Sequence, residues 1–270
     1  MAIGPTIIDI REITAVLSEI LKMDYSNYAF SFLRRRFAFL FDELKVKNAS
    51  SFIQEIKNGT IIDDFCYFFP VEENEMFRDP SFWRTLRGKI LPDLEEGNLS
   101  FWFPELVSAE ELFSLIVILE EENLMERAKI YCNVYSNRRI SQIKQGEVNN
   151  KNLELNKNNY KRLELRTVFE NHFVEGNGNI RLVNENWINQ VEFLQGNFFN
   201  VVPAENIGVT LFRNRMLYYN SKLQSDAEQH LKRSLNKDAF LVMGIKEKLL
   251  KEHEHDFVLF DSSEQIYRVS

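Results

Sequence analysis

The sequence has few of the residues that build several specialised classes of protein. Its 270 residues include 2 Cys, 10 Gly and 6 Pro, which excludes a collagen-like chain and a dense disulfide framework. No stretch reaches the ~18 apolar residues of a membrane span, so we expect no membrane insertion. The formal net charge is −7, and this excess of acid argues against nucleic acid as a partner.

Neither the cysteines nor the histidines are spaced as metal ligands. Cys66 and Cys132 lie inside apolar segments, which predicts buried free thiols and no disulfide. His253 and His255 lie in a charged segment without a third ligand nearby, and such a pair is usually solvent-exposed. We therefore expect no metal site.

The composition is that of a folded globular protein. Hydrophobic residues make up 44% of the chain and charged residues 27%, which excludes extensive disorder. The first residues lack a basic flank followed by a long apolar run, so no targeting segment is predicted. We expect a cytoplasmic protein.

The N-terminal region, residues 1–72, has helical periodicity. Apolar residues recur at spacings of three and four between Ile13 and Leu21 and again between Tyr28 and Leu44, as on one face of a helix. A third helix is predicted to begin at Ser51, because Gln54 follows at the spacing of a capping box. This region is therefore predicted to be all-α.

The pattern changes after Pro104, where helices and strands alternate. Ser108 and Glu111 have capping-box spacing before an apolar helix, and Asn137 is predicted to cap another. Residues 149–159, rich in asparagine, are predicted to cross the surface. Strand-like segments occur at Lys129–Val134, Val191–Leu194, Val209–Phe212, Ala239–Met243 and Phe257–Phe260. This alternation predicts a mostly parallel sheet covered on both faces, the α/β class.

Several short motifs together resemble the CheR-type chemotaxis receptor methyltransferases, over nearly the whole chain. The octapeptide Phe212–Tyr219 is the most specific of them, because packing alone does not explain an arginine-asparagine pair that ends a strand. The other matching segments are Glu75–Pro80 with Phe82, Ile90–Pro92, Phe101-Trp102, Ser108–Ser114, Asn171–Phe173 and Val191–Phe193 with Asn197.

The resemblance implies a domain organisation and an activity. It implies a small helical domain (1–72), a hinge helix (73–98) and a Rossmann-like α/β domain (99–270) that binds S-adenosylmethionine. An antiparallel β-subdomain at about 174–190 would dock receptor tails. The implied reaction is methyl esterification of receptor glutamates, which depends on positioning more than on a strong base. The implied partner is a chemoreceptor or another sensory signalling protein.

The resemblance also assigns roles to individual residues. Arg78 is the candidate catalytic residue. The candidate cofactor-binding residues are Glu110, Glu111, Asn197, Arg213 and Asn214. Two alternatives remain open: Glu111 is equally explained as the capping partner of Ser108, and the last three residues can hold loops at strand ends without a cofactor.

The implied cofactor site departs from the family pattern in three places, one of which is the hinge, where Asn74 replaces a threonine and Met76 an aromatic residue. Family members have a turn of small residues ending in glycine, whereas bulky residues fill Phe103–Ala109 and Ala109 stands at the glycine position. The acid that grips the cofactor's ribose is replaced by Val134, and Ser136 replaces a second aspartate. Asn133 could substitute only through a register shift. A lost charge-assisted hydrogen bond is worth about 1.5–3 kcal/mol.

These departures favour a catalytically inactive relative that binds no S-adenosylmethionine and acts by protein binding in a sensory system. The alternative is an active protein-glutamate O-methyltransferase whose altered turn still admits the cofactor. Arg34, Arg35 and Arg36 match a basic helix that faces the receptor in the family. They are predicted to bind a partner, with a simply solvated helix face as the alternative.

Overall fold

The computed structural model describes residues 4–94, 97–204 and 206–270. The predicted regions 1–72 and 73–98 include residues 1–3, 95 and 96, which lie outside the described residues. The α-helices are α1 (Ile7–Leu21), α2 (Phe30–Glu43), α3 (Ala49–Asn58), α4 (Ile62–Phe68), α5 (Pro80–Thr85), α6 (Leu91–Leu94), α7 (Ala109–Glu121), α8 (Asn137–Ile143), α9 (Leu153–Lys161) and α10 (Ser221–Ser234). The strands are β1 (Ser100–Phe103), β2 (Lys129–Val134), β3 (Glu147–Asn149), β4 (Phe173–Glu175), β5 (Asn179–Leu182), β6 (Val191–Gln195), β7 (Val209–Phe212), β8 (Phe240–Met243), β9 (Phe257–Asp261) and β10 (Ile266–Val269).

The main sheet has seven strands in the order β6-β2-β1-β7-β8-β10-β9. The first five are parallel to their neighbours, and β10 and β9 are antiparallel. The chain adds β2 and β6 on one side of β1 and then crosses to β7 on the other side. The sheet therefore has a topological switch point between β1 and β7. Ligands of open α/β sheets bind at the carboxyl ends of the strands beside such a point. The predicted α/β class and Rossmann-like sheet are confirmed.

The N-terminal helices share one hydrophobic cluster with the face of this sheet that carries Trp102, Tyr131 and Phe212. Thr6 and Asp9 form a capping box at the start of α1, and α3 begins at Ala49 because the Asn48 side chain accepts a hydrogen bond from the Ser51 backbone N–H. The predicted start of this helix at Ser51 is therefore wrong. Rings clustered around Phe69 belong to Tyr25, Tyr28, Phe32, Phe37 and Phe65.

The hinge consists of an extended segment followed by a continuous helical rod from Pro80 to Leu94. Two non-glycine residues before the rod have positive φ angles, Phe77 at 53° and Asp79 at 56°. Such angles persist only when neighbouring contacts hold them. The Phe77 backbone N–H donates to Ser114 Oγ on α7 at 2.7 Å, so the α/β domain fixes this turn.

The asparagine-rich segment lies mostly at the surface and forms a helix that contacts the hinge. Most of it forms α9, in which Asn156 and Asn159 are buried. Asn156 Oδ1 accepts from the Met76 backbone N–H at 2.9 Å, and Asn159 Nδ2 donates to the Met76 carbonyl oxygen at 3.1 Å. The exposure of most of residues 149–159 agrees with the predicted path across the surface. The sequence did not indicate that two of its asparagines are buried, where short polar side chains satisfy buried backbone groups.

A second, antiparallel sheet has the strand order β3-β5-β4. It begins at Glu147, before the predicted range of 174–190, and residues 185–190 form a 3-10 turn that leads into β6. Glu120 and Glu121 at the end of α7 hold His172, which precedes β4, at 2.9 Å on each ring nitrogen. These contacts attach the small sheet to the main domain.

The structure gives no sign of a membrane span or a metal cluster within the residues it describes. None of the described helices is long and apolar enough to cross a membrane, and no group of three or more His, Cys, Asp or Glu among these residues could hold a metal ion. Both cysteines are free thiols; Cys132 is buried and Cys66 is partly buried. Burial raises the pKa of Cys66 to about 12, so that thiol is unreactive at neutral pH.

Candidate functional site

The turn after β1 lies at the carboxyl edge of the sheet, beside the switch point, and packs down against it. Leu106 and Val107 are only 4% and 3% exposed. The Leu106 backbone N–H donates to the Asn133 carbonyl oxygen, near the end of β2, at 2.9 Å. Apolar side chains therefore anchor this turn across the ends of the two central strands.

The space between this turn and the end of β2 is closed. Its volume is about 10 Å3, which is roughly the space that one water molecule requires. We call it the closed cleft. Side chains of the N-terminal region and of the α/β domain line it together: Cys66, Pro70, Glu105, Leu106, Val107, Asn133, Val134, Tyr135, Ser136 and Arg139.

Glu105 fills part of this region from within the turn itself. Tyr219 Oη donates to Glu105 Oε2 at 3.0 Å. Burial raises the pKa of Glu105, although the nearby guanidinium of Arg215 opposes the shift. Arg215 is itself buried and lies 3.5 Å from Glu73. A glutamate in this turn therefore occupies an internal polar network and offers no free carboxylate.

The end of β2 has no acidic side chain, and an acid from another part of the chain lies beside it. Val134 is 1% exposed, and Ser136, not the predicted Asn137, is the N-cap of α8. Asp63 of α4 accepts from Ser136 Oγ at 3.1 Å and from the Asn137 backbone N–H at 2.7 Å. Sequence reasoning missed Asp63, because nothing in its own segment marks a contact with α8.

Asn133 is fully engaged and does not replace the missing acid. Trp102 Nε1 donates to Asn133 Oδ1 at 2.7 Å, and Asn133 Nδ2 donates to the Val201 carbonyl oxygen at 2.7 Å. The pairing of β2 with β1 is regular, with Phe103 opposite Cys132. No register shift brings Asn133 to the strand end.

Arg213 is the centre of a buried ion-pair network. It is 2% exposed, donates to Asp79 Oδ2 at 2.8 Å and to Glu111 Oε1 at 2.9 Å, and lies 4.3 Å from the centre of the Phe82 ring. Burial raises the pKa of Glu111, and Arg213 opposes that shift. This network joins the hinge, α7 and the end of β7.

The arrangement excludes one of the two interpretations of Glu111, the capping role. The Ser108 hydroxyl donates to the Glu73 carbonyl oxygen at 2.8 Å, and no side-chain hydrogen bond caps α7. The predicted capping box of Ser108 and Glu111 is therefore wrong. Glu111 is a partner of Arg213.

The remaining candidate cofactor-binding residues also make internal contacts. Asn214 has a φ of 59°, and its backbone N–H donates to Glu247 Oε2 at 2.7 Å. Glu247, which sequence reasoning missed, also accepts from Leu217 N–H at 3.2 Å. Asn197 Nδ2 donates to the Leu21 carbonyl oxygen at 3.0 Å. These residues hold the loops at the ends of β6, β7 and β8.

Arg78 lies in the hinge, away from the closed cleft. Its guanidinium lies 3.3 Å from Glu73, and its side chain is 37% exposed. The Arg78 carbonyl oxygen accepts from Trp83 Nε1 at 2.9 Å. The structure thus gives Arg78 an ion pair with a neighbouring carboxylate, and it is not among the residues that line the cleft.

The three consecutive arginines of α2 differ in their surroundings. Arg34 and Arg35 are exposed. Arg36 donates through Nε to the Phe69 carbonyl oxygen at 2.7 Å and through Nη2 to that of Pro70 at 2.6 Å. Burial lowers the pKa of Arg36. The Arg36 guanidinium therefore fastens α2 to the end of α4, whereas the side chains of Arg34 and Arg35 face outward.

Glu110 faces a second and much larger cavity on the other side of the α7 N-terminus. This cavity has a volume of about 490 Å3 and lies between the N-terminal helices, α8 and the small sheet. Glu110 is 6% exposed, and burial raises its pKa to about 7. Arg139 lines both this cavity and the closed cleft. We call this larger space the Glu110 cavity.

Comparison with known proteins agrees with the fold and with the motifs. A family model described as "CheR methyltransferase, SAM binding domain" matches residues 72–266. Methyltransferase Cher3 of Pseudomonas putida is 23% identical over 244 residues, 90% of this chain and 89% of that protein. The chemotaxis protein methyltransferase of Listeria monocytogenes is 21% identical over 246 residues, 90% of each.

Solved structures resemble the chain more distantly. A SAM-dependent methyltransferase from Geobacter sulfurreducens, in complex with S-adenosyl-L-homocysteine, has a TM-score of 0.36 and 12% identity, covering 67% of this chain and 53% of that one. That likeness carries no argument about the site. The family model matches most of the chain, and this protein therefore belongs to the CheR methyltransferase family.

Proposed function

We propose that this protein is a CheR-family member that has lost methyl transfer and acts by binding a protein of a chemosensory system. One observation carries the proposal: the space between the turn after β1 and the end of β2 is closed to about 10 Å3. A nucleoside cofactor needs a site on the order of 300 Å3 or more. The residues that line the closed cleft leave no room for the nucleoside of S-adenosylmethionine.

Three further observations support this interpretation. Val134 provides no acceptor for ribose hydroxyls, Asp63 binds the adjacent end of α8, and the half-buried Glu105 carboxylate lies within the turn, bound to Tyr219. An aspartate at the position of Ser136 would repel Asp63. The absence of acids at Val134 and Ser136 and the contact of Asp63 with α8 therefore depend on each other.

The alternative is an active S-adenosylmethionine-dependent protein-glutamate O-methyltransferase. The presence of Glu110, Arg213 and Asn214 favours it. The ion pairs of Arg213 explain its presence without a cofactor. The contact of Asn214 with Glu247 uses only its backbone N–H, and its buried side-chain Nδ2 has no partner among the described residues. The family match alone does not distinguish the two functions.

Thermal melting with and without ligand tests the proposal. A ligand at 100 times its Kd stabilises the folded state by about 2.7 kcal/mol, which corresponds to a rise in Tm of roughly 5 °C or more for a chain of this size. We expect no rise with millimolar S-adenosylmethionine or S-adenosylhomocysteine. The Listeria monocytogenes relative provides the positive control. A rise in Tm together with transfer of a labelled methyl group to a receptor fragment would establish the active alternative.

The partner-binding surface that we propose is the exposed face of α2. Arg34 and Arg35 lie one helical turn from Phe30 and Phe39, which are 45% and 39% exposed. Exposed aromatic and arginine side chains are typical of interface centres. The charge of this face fits an acidic helical partner such as a chemoreceptor signalling domain. Binding to a purified receptor fragment should weaken as salt rises.

A further inference from the structure

Strand β9 forms one edge of the main sheet and leaves an apolar segment exposed. Among the described residues it pairs with β10 alone. Val258, Leu259 and Phe260 are consecutive and are 60%, 52% and 38% exposed. The described parts of the chain have no other run of three large hydrophobic side chains that are all exposed. An exposed edge strand has unpaired backbone N–H and C=O groups, so this edge is a template for a further strand.

The opposite edge of the sheet, β6, is protected in a way that β9 is not. Glu192 is exposed in the middle of β6, and Lys144 Nζ lies 5.4 Å from the centre of the Phe193 ring. Charged side chains on an edge strand oppose the addition of another strand. In β9 the charged residues stand only at the ends, with Asp256 before the strand and Asp261 as its last residue.

The exposed side chains of β9 lie on both faces of the sheet. Val258 is opposite Arg268 of β10, whose guanidinium lies 5.2 Å from the centre of the Phe240 ring. The centre of the Phe260 ring lies 5.1 Å from that of the same Phe240 ring. Val258 and Phe260 therefore share one face, and Leu259, between them, points to the other.

We propose that β9 is the interface of a symmetric dimer, in which β9 of a second copy of this chain pairs antiparallel with it about a two-fold axis at Leu259. Leu259 then meets Leu259 of the second copy. On the other face Val258 meets Phe260 of the second copy, twice. Pairs of an aromatic and a β-branched side chain stabilise antiparallel strands. A two-fold contact closes on itself, so the assembly ends at two copies.

The charges at the ends of β9 are compatible with this pairing. Asp256 and Asp261 flank the apolar residues, and in this register each lies opposite an uncharged residue of the second copy. Asp261 Oδ2 accepts from Lys89 Nζ at 2.9 Å, and Asp256 Oδ1 lies 4.0 Å from Lys232 Nζ. Each acid is thus paired within its own copy. The dimer brings no unpaired like charges together, whereas a foreign strand would need to match the same pattern by chance.

Sedimentation velocity of the full chain measures the equilibrium between one and two copies. Five paired residues bury less than the roughly 800 Å2 per partner of a standard interface, so we expect a Kd on the order of 10 µM. Raising NaCl from 0.1 to 0.5 M should tighten the association, because each copy has a net charge of −7 and salt screens the repulsion between copies. Binding of an acidic partner to the face of α2 should respond to salt in the opposite direction.

Two substitutions at the axis test the register. Leu259→Lys and Leu259→Glu each place like charges opposite each other, so each variant alone should have a Kd raised more than tenfold. Mixed one to one, they bring opposite charges together and should recover a dimer. Val183→Lys is the matched control, because Val183 is also 52% exposed and follows β5 of the small sheet. It should dimerise like the parent protein.

A disulfide provides a second test if a charged variant does not fold. Leu259→Cys with oxidised glutathione should give a covalent dimer, since the two-fold axis places the two thiols opposite each other. Val183→Cys should remain unlinked. The native thiols do not interfere, because Cys132 is buried and burial raises the pKa of Cys66 to about 12. Absence of the covalent dimer would overturn the inference.

Three other results would also overturn it. The first is a parent protein that stays monomeric at about 200 µM in 0.5 M NaCl, even if β9 binds an extended peptide of another protein. The second is a dimer that Leu259→Lys leaves intact, since another face would then hold the copies together. The third is a mixture of the two charged variants that does not recover a dimer. None of these results involves S-adenosylmethionine, so the proposed function stands or falls separately.

Discussion

Replacing Val134 by aspartate restores the acid that the family places at the end of β2, and we expect it to destabilise the protein without creating a cofactor site. Val134 is 1% exposed and lies on a strand that pairs with β1 and β6 on its two sides. A buried valine contributes about 1.5–3 kcal/mol through burial. The aspartate loses this contribution and adds an unpaired charge beside a space for about one water molecule.

These two losses set the magnitude. We expect Val134→Asp to lower the free energy of unfolding by about 3–5 kcal/mol near neutral pH. The effect also has a defined pH dependence. Burial would raise the pKa of the new carboxyl above its unfolded value of about 3.9, so the folded state binds more protons than the unfolded state, and stability falls as pH rises through the folded pKa.

Urea denaturation followed by circular dichroism at pH 5 and pH 7.5 measures both effects. Val134→Thr is the matched control, because it keeps the β-branched shape, introduces no charge and should lose about 1–3 kcal/mol at either pH. The reasoning is refuted if Val134→Asp is as stable as the threonine variant at pH 7.5 and binds S-adenosylhomocysteine. That result would mean that the turn after β1 is open and that only the ribose contact was missing.

Three other expected outcomes follow from the contacts. Burial opposes protonation of His172, but the carboxylates at its two nitrogens raise its pKa. Stability should therefore fall as pH rises through that pKa. His172→Gln should abolish this dependence in urea titrations, while Glu120 still binds Asn184 and Trp187 after β5. Arg213→Met leaves two carboxylates unpaired and should cost about 3–5 kcal/mol, and a loss below about 1 kcal/mol in the same assay would contradict the buried network. Double charge reversal, Arg34→Glu with Arg35→Glu, should abolish binding to a receptor fragment in calorimetry without changing Tm, and unchanged binding would exclude that surface.

Much of the α/β domain could be predicted from local pattern. The strand at Lys129–Val134 has the predicted bounds, because a buried parallel strand is a short apolar run. The two capping boxes predicted from spacing were wrong. Ser51 and Ser108 have the expected spacing, but Asn48 caps α3 and the Ser108 hydroxyl binds the hinge. Spacing alone does not reveal which acceptor a hydroxyl reaches once tertiary contacts form.

The sequence indicated where the candidate site departs from the family pattern, but not which contacts stand in place of the missing groups. A filled turn and a missing acid at Val134 could be inferred from residue size and chemistry. The contacts of Asp63, Glu247 and Asn156 could not, because each joins segments more than 30 residues apart and no local motif marks them. Adjacent residues of a helix differ by about 100° in direction, so different surroundings for Glu110 and Glu111 were to be expected, but the sequence did not indicate what those surroundings are.

Calorimetric titration of the intact chain with S-adenosylhomocysteine tests the closed cleft most directly. The product form of the cofactor cannot react, so the measurement reports binding alone. We predict only the heat of dilution at millimolar ligand, for the parent protein and for Val134→Asp. A one-site isotherm of micromolar affinity for the parent protein would contradict the proposal.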